Sequence, residues 1–187
     1  VAPATDNNVF QLIMTETSGQ MGICTATLIG SRTLLTAAHC VDSARSVIAH
    51  NAPTDQQIRF GVNTYRALRW NTHPQWNPNG QDLRNDIAII LLESAPANVN
   101  PKPWNNQSMN GTQGRPIRAV GYGNTMPGSG NGTRRQVNLT VAQLTQQLIF
   151  MGDNQSKGIC QGDSGGPTFY TFPDGVERQV GIHSFTT

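Results

Sequence analysis

The sequence has little charge and no long hydrophobic run, and each shortage excludes a class of protein. Only 13% of the 187 residues are charged, and the formal net charge at pH 7 is +2. Because a nucleic-acid-binding surface needs a basic stripe or patch and the lysines and arginines here are scattered, we expect no nucleic-acid partner. The longest apolar run is residues 87–92. A membrane-spanning helix needs about 20 apolar residues, so we also expect no membrane partner.

Cysteine is scarce, and patterns typical of metal sites are missing. The chain has three cysteines, so at least one has no disulfide partner within the sequence. His50 and His73 lie in polar, loop-like surroundings without the spacing of zinc ligands, and no cluster of acidic residues suggests a calcium loop. We therefore expect neither a metal site nor a cofactor.

Many short β-branched runs, together with 19 glycines and 11 prolines, are typical of an all-β fold with long surface loops. The segment 95–114, rich in proline and asparagine, is interpreted as a linker between a unit of residues 1–100 and a unit of residues 101–187. Residues 43–50 are interpreted as a surface crossing, and residues 146–150 as a short strand or a helical turn. The predicted strands are residues 9–15, 22–29, 33–37, 57–61, 65–70, 86–92, 117–121, 136–144, 167–171 and 178–185.

The strongest functional signal is the segment GDSGGP, residues 162–167, which surrounds Ser164 with residues that bend the backbone and add no bulk. A serine hydroxyl is a weak nucleophile and needs an adjacent base, together with donors that face the oxyanion it creates. Gly162 allows the backbone to turn so that its own N–H and that of Ser164 point at one place. Taken alone, the segment is explained equally well by a β-turn that carries a surface serine.

A base and an orienting carboxylate are present elsewhere in the chain. The segment TAAHC places His39 at the end of an apolar run, and NDIAII places Asp86 at the head of a buried strand. Each residue alone has a structural explanation: a half-buried histidine for His39 and a polar strand start for Asp86. Together with Ser164 they predict nucleophilic catalysis, in which His39 takes the serine proton and Asp86 fixes the imidazole tautomer.

TAAHC, NDIAII and GDSGGP, in this order, resemble the trypsin/chymotrypsin-like serine proteases. The segments GYG at 121–123 and GIHSF at 181–185 extend the resemblance, which covers nearly the whole chain. It implies two six-stranded antiparallel β-barrels with the site between them. It also implies a monomeric, secreted serine endopeptidase whose partners are protein or peptide substrates and protein inhibitors.

The resemblance further implies a disulfide between Cys24 and Cys40, which fits an oxidising compartment. In the family the partner of Cys160 lies a few residues further on, beyond Thr187, so we expect the second barrel to be incomplete at its C-terminus. Either residues are missing there, which we favour because an unclosed barrel would leave strand edges exposed, or the protein is naturally short and Cys160 is free or bonded to another molecule. Asp163 would pair with a new α-amino group freed by zymogen cleavage. Val1 fits the residue type for this activation pairing, although Ala2 and Pro3 depart from the family's usual sequence.

The substrate would add as a strand along Ser184, Phe185 and Thr186. Gly158 would lie at the base of the pocket for the P1 side chain, where trypsin-like enzymes have an aspartate, so a preference for lysine or arginine is not expected. His183 occupies the place of a histidine that meets an acidic P1 residue in glutamyl endopeptidases of this fold, which predicts a preference for glutamate. The alternative is a core histidine and a small or apolar P1 residue. Ile159 and Gln161 complete the predicted substrate-binding set.

Two other functions remain open. A catalytically silent homologue that acts as a binding protein would share the fold, although such proteins usually lose a residue of the triad. An esterase would share the triad, but its usual fold has a different residue order.

Overall fold

A computed structural model describes residues 1–81, 84–125, 132–152 and 158–185. In these residues the chain forms eleven strands and little helix. The helices are single turns, and none of those described has the length or hydrophobicity to span a bilayer. The strands are β1 (Val9–Glu16), β2 (Met21–Leu28), β3 (Thr33–Thr36), β4 (Ala44–His50), β5 (Thr64–Thr72), β6 (Ala88–Leu92), β7 (Pro116–Gly121), β8 (Arg135–Leu144), β9 (Ile149–Gly152), β10 (Pro167–Thr171) and β11 (Glu177–Ile182). The helix α1 (Ala38–Val41) follows β3, and 3₁₀ turns cover Ala4–Asn8 and Asp55–Gln57.

The first six strands form a closed antiparallel barrel in the order β1-β2-β3-β6-β5-β4. In β6, alternation directs one face inward: Ala88, Ile90 and Leu92 are buried, whereas Ile89 is 48% exposed. The core of this first barrel also contains Phe10 from β1. Closure leaves no strand edge unpaired, and the ends of β3 and β6 are thereby held side by side.

The remaining strands form a curled antiparallel sheet in the order β11-β10-β7-β8-β9, called the second sheet below. The described residues therefore supply five strands to this sheet, one fewer than the six predicted for a complete second barrel. Its core contains Ile117, Leu139 and Val141. The architecture as a whole confirms the predicted all-β fold with two β units.

The N-terminal segment lies against both units. Ala2 and Val9 pack with Val120, Tyr122 and Phe169, the last three being residues of the second half of the chain. In the same region, the buried Asp6 carboxylate pairs with the Arg118 guanidinium, which also binds Glu177. Residues 1–8, which the sequence assigned to the first unit, thus also hold the second sheet in place.

Two sequence predictions about single elements are wrong. Residues 43–50, interpreted as a surface crossing, contain strand β4, whose polar first half is exposed while Val47 and Ala49 enter the core. Residues 57–61, predicted as a strand, instead begin with the last residue of the 3₁₀ turn Asp55–Gln57 and are mostly exposed. In both cases the burial that a strand needs is set by its neighbours rather than by its own pattern.

His50 at the end of β4 should make the protein sensitive to acid. Its imidazole is fully buried against Tyr122, hydrogen-bonded to Gln11 Oε1, and its Nε2 is 3.7 Å from Asp55 Oδ1. Burial, assisted by the positive charge of Arg134, lowers the pKa of His50 from 6.5 to about 4. The neutral His50 therefore makes its full contribution to the free energy of unfolding above pH 6.5. As the pH falls towards 4, this contribution decreases by about 3 kcal/mol.

Urea unfolding at neutral pH and near pH 4 measures this loss. The variant His50→Gln is expected to lose about 3 kcal/mol less than the wild type over the same interval. His73→Gln, at a partly exposed loop histidine, is the matched control and should lose as much as the wild type. An equal loss in His50→Gln and the wild type would contradict the assignment.

Candidate active site

His39 and Asp86 form a hydrogen-bonded pair at the rim of the first barrel. Asp86 Oδ2 lies 2.6 Å from His39 Nδ1, and the backbone N–H of His39 donates to Asp86 Oδ1 at 2.9 Å. His39 belongs to α1, which follows β3, and Asp86 precedes β6, the strand paired with β3. The barrel register therefore brings together two residues that are 47 positions apart in the sequence.

The backbone before Asp86 and a serine from the second half of the chain fix the carboxylate. Asn85 has a φ of +61°, a left-handed conformation that asparagine tolerates better than most residues, and this turns the chain just before Asp86. Ser184 Oγ donates to Asp86 Oδ2 at 2.5 Å. The carboxylate thus accepts three hydrogen bonds and has little rotational freedom.

These contacts set the charge of both groups. Burial on its own would raise the pKa of Asp86, but the hydrogen bonds from His39 and Ser184 outweigh it and lower the pKa. The hydrogen bond to Asp86 is the main cause that raises the pKa of His39, and it outweighs the opposing effect of burial. The aspartate is therefore ionised at neutral pH. The imidazole holds its proton on Nδ1 and leaves Nε2 able to accept another.

Ser164 lies in a tight turn that the second sheet and the first barrel hold from both sides. Gly165 N–H donates to His183 O at 2.7 Å, and Ser164 O accepts from Thr25 N–H at 2.8 Å. Gly162 has a φ of +95°, and Gly165, with a φ of +81°, has no room for a Cβ against Thr36 and Thr25. Glycine is required at both positions, because other residues rarely adopt this conformation.

The N–H groups of Gly162 and Ser164 donate to no acceptor in the described part of the chain. They are the two groups that the sequence predicts as oxyanion donors. Ser164 Oγ likewise has no hydrogen-bond partner among the described residues. Nucleophile and base are often separated in unligated enzymes and approach each other only with substrate bound.

The disulfide between Cys24 and Cys40 brings the turn and the imidazole together. Cys40 Sγ lies 4.0 Å from His39 Nε2 and 3.7 Å from the carbonyl oxygen of Ser164. The imidazole and the backbone of Ser164 therefore lie beside the same sulfur atom. Of the three residues that the sequence predicts as a catalytic triad, His39 and Asp86 are hydrogen-bonded to each other, and the turn of Ser164 contacts Cys40 and Thr25 of the first barrel.

The model of the trypsin family matches residues 2–187. The chain belongs to the trypsin family. This is a family of serine endopeptidases, and the histidine, aspartate and serine motifs lie within the matched region.

Two curated trypsin-family relatives show how much of the fold the chain covers. It is 29% identical to brachyurin from Leptuca pugilator, over 80% of this chain and 72% of that protein. It is 28% identical to cathepsin G from Mus musculus, over 79% of this chain and 61% of that protein. A solved collagenase structure matches with a TM-score of 0.81 at 22% identity, covering 97% of this chain and 82% of that one. That match shows the fold alone.

The trypsin-family pairing between Val1 and Asp163 is not formed. Val1 is 88% exposed, and Ala2 N–H donates to Arg134 O, which holds the N-terminal segment against the junction. The Asp163 carboxylate instead accepts backbone N–H groups from Gly123 at 2.8 Å and Cys160 at 2.8 Å. Two backbone donors thus satisfy the carboxylate where the sequence predicted an ammonium group.

His183 does not offer a nitrogen to an acidic substrate side chain. It is 2% exposed, its Nδ1 donates to the carbonyl of Asp163 at 3.2 Å, and Thr168 Oγ1 donates to its Nε2 at 3.0 Å. Burial lowers the pKa of His183 and outweighs the opposing effect of Asp163, which favours the neutral ring. The expectation of a P1 carboxylate held by His183 is therefore corrected: the imidazole is a core residue whose partners are all within the protein.

A cavity of ≈ 210 Å³ opens beside Ser164 and contains most of the predicted substrate-binding residues. Its lining includes five of them: Ile159, Gln161, His183, Ser184 and Phe185. Gly158 does not line it; this residue is exposed and borders two neighbouring cavities. Thr186 lies outside the described residues.

Among the described residues, the single cluster with metal-ligand spacing is Cys24, His39 and Cys40. Both of its sulfurs belong to the disulfide and are not thiolates, so the cluster does not fit a metal ion. Cys160 is a free, exposed thiol on the rim of the cavity beside Ser164.

No sequence motif marks Thr25 as a functional residue. It is fully buried in β2, and its hydroxyl donates to the carbonyl of Gly162 at 2.9 Å, across 137 positions of sequence. Only the packing of β2 against the nucleophile turn shows this contact, since a single buried threonine in a strand has no local feature that sets it apart.

Proposed function

We propose that the chain is a serine endopeptidase that hydrolyses peptide bonds through an acyl-enzyme on Ser164. The observation that carries the proposal is the His39–Asp86 pair, with Nε2 of His39 and the carbonyl oxygen of Ser164 both beside Cys40 Sγ. The two unengaged N–H groups of that turn provide the second requirement, a place for negative charge. Protein or peptide substrates follow from the endopeptidase activity.

In the first half of the reaction, Ser164 Oγ attacks the carbonyl carbon of the scissile bond while His39 Nε2 takes its proton. The resulting imidazolium is stabilised by Asp86, whose carboxylate is 2.6 Å away. The N–H groups of Gly162 and Ser164 bind the oxyanion. The intermediate collapses when His39 returns the proton to the leaving amine, which leaves an ester on Ser164. Water, activated by His39, then hydrolyses this ester.

The cavity beside Ser164 favours a small or apolar P1 side chain. Ile159 and Phe185 contribute apolar surface, and no carboxylate, lysine or arginine of the described residues lines it. His183 is the one residue with a titratable ring among the described residues that line this cavity, and both of its nitrogens have partners within the protein. A charged P1 group would lose its hydration there without gaining a partner.

A set of peptide p-nitroanilides that differ only at P1 tests the activity and the specificity together. We expect release of nitroaniline after alanine, valine or leucine, and kcat/KM at least roughly 100-fold lower after glutamate or lysine. Cleavage of p-nitrophenyl esters but of no anilide would indicate an esterase. Absence of all cleavage would favour the silent homologue, and a preference for glutamate would overturn the assignment of the pocket.

The disulfide between Cys24 and Cys40 supports a place for the protein in an oxidising compartment, and we propose that it is secreted.

A further inference from the structure

Thr25 uses every polar atom it has to connect the first barrel with the nucleophile turn. Its hydroxyl donates to the carbonyl of Gly162 at 2.9 Å, and its backbone N–H donates to the carbonyl of Ser164 at 2.8 Å. The same hydroxyl accepts from Tyr122 N–H at 3.1 Å. Its own carbonyl accepts from Thr36 Oγ1 at 2.9 Å, which ties it to β3.

The two carbonyls that Thr25 binds belong to the two residues whose N–H groups form the oxyanion site. Fixing the carbonyls of Gly162 and Ser164 on the first barrel restricts rotation of the backbone at both residues. Their N–H groups are left without a protein acceptor in the described part of the chain. The side-chain hydroxyl and the backbone amide of Thr25 therefore fix the relative orientation of the N–H groups of Gly162 and Ser164.

The contact to Tyr122 extends this control to Asp163. Tyr122 precedes Gly123, whose N–H donates to Asp163 Oδ1 at 2.8 Å. Asp163 lies between Gly162 and Ser164 in the turn, so the Thr25 hydroxyl holds both the turn and the segment that binds the turn's carboxylate. The Asp163 carboxylate is thus held by backbone N–H groups, one of which belongs to the segment that Thr25 binds.

We propose that the hydroxyl of Thr25 is a positioning group for the oxyanion site and acts on the rate of the chemical step rather than on substrate binding. The inference rests on the proposed endopeptidase function. Loss of the hydroxyl leaves the carbonyl of Gly162 and the N–H of Tyr122 without their partner. The turn can then rotate, and the two donors no longer converge on the developing charge.

The test compares Thr25→Val, which removes the hydroxyl at nearly constant shape, with Thr25→Ser, which keeps it. We expect Thr25→Val to lower kcat roughly 10- to 100-fold with KM changed by no more than roughly 2-fold. A peptide aldehyde, which forms a tetrahedral adduct, should bind weaker by the same factor as the fall in kcat/KM. Thr25→Ser should stay within roughly 3-fold of the wild type in every constant.

The chain supplies a matched control in Thr27→Val. Thr27 lies on the same strand and is also fully buried, but its hydroxyl has no hydrogen-bond partner among the described residues. This variant makes the same chemical change and should leave kcat and aldehyde binding at the wild-type level. Equal kcat in Thr25→Val and Thr27→Val would overturn the inference. It would also be overturned if Thr25→Val and Thr25→Ser showed the same fall in both kcat and KM.

Rates are expressed per active site titrated with a sulfonyl fluoride, so a partly misfolded sample does not imitate a positioning effect. If Thr25→Val gives no titratable sites, Thr25→Ala makes the same deletion with a smaller side chain, and the same ratios decide. A wild type that the reagent does not label would overturn the endopeptidase function itself, whereas a labelled wild type with an unaffected Thr25→Val overturns only the role of Thr25.

Discussion

Replacement of Ser164 by alanine is expected to lower kcat by about a million-fold while the protein stays folded. The hydroxyl is the nucleophile in the proposed mechanism, and neither His39 nor the oxyanion donors can act without it. Since Ser164 Oγ makes no hydrogen bond to the described residues, its removal leaves no buried partner unsatisfied. The melting temperature should therefore match that of the wild type. Anilide hydrolysis and thermal unfolding measure the two effects.

Ser46→Ala is the matched control for this variant. Ser46 is an exposed serine in β4, and its replacement should change neither rate nor stability. Activity of Ser164→Ala above about one per cent of the wild type would mean that another residue is the nucleophile.

Replacement of Asp86 by asparagine is expected to lower kcat by about 10⁴-fold. The backbone N–H of His39 donates to Oδ1, so the amide oxygen of the asparagine must remain at that position. The amide NH₂ then faces Nδ1 of His39, which has to accept and can no longer carry the proton. The proton moves to Nε2, and the imidazole cannot take the proton of Ser164. The rate of anilide hydrolysis per titrated site measures the loss.

The pH profile of the same variant gives an independent readout. His39 acts as a base only when it is neutral, and the hydrogen bond to Asp86 raises its pKa. In Asp86→Asn the acid limb of the kcat/KM profile should therefore move to lower pH. Asp174→Asn, at an exposed aspartate that pairs with Arg178 in the β10–β11 hairpin, should leave both rate and profile unchanged. An unshifted acid limb in Asp86→Asn would show that His39 is not the group whose ionisation controls the rate.

The sequence was sufficient to identify the residues that require a particular local backbone. Ser164 lies between glycines whose positive φ angles the structure shows, and His39 and Asp86 each adjoin a strand with a clear apolar pattern. Such features depend on a few neighbouring residues, which is why they can be recognised in order along the chain. The family and the all-β architecture followed from the same segments.

Residues whose role depends on what packs against them could not be assigned in this way. His183 occupies a position that the resemblance links to acidic substrates, yet Thr168 and the carbonyl of Asp163 bind both of its nitrogens. Val1 has the residue type of an activating N-terminus. However, the N–H of Ala2 is hydrogen-bonded to the carbonyl of Arg134, and the Asp163 carboxylate accepts backbone N–H groups instead. In each case the sequence named the group correctly but not its partner.

The sequence by itself determined the local features on which the proposed chemistry depends: a serine in a glycine-rich turn, a histidine and an aspartate at strand ends, and the alternating pattern that forms a barrel. The tertiary structure alone decided which donors and acceptors those groups find, including the contact of Thr25 with a turn 137 positions away. The physical reason is range. Backbone conformation and apolar periodicity are set by nearest neighbours, whereas the hydrogen-bond partners of a buried polar group are set by whichever strand the fold places beside it.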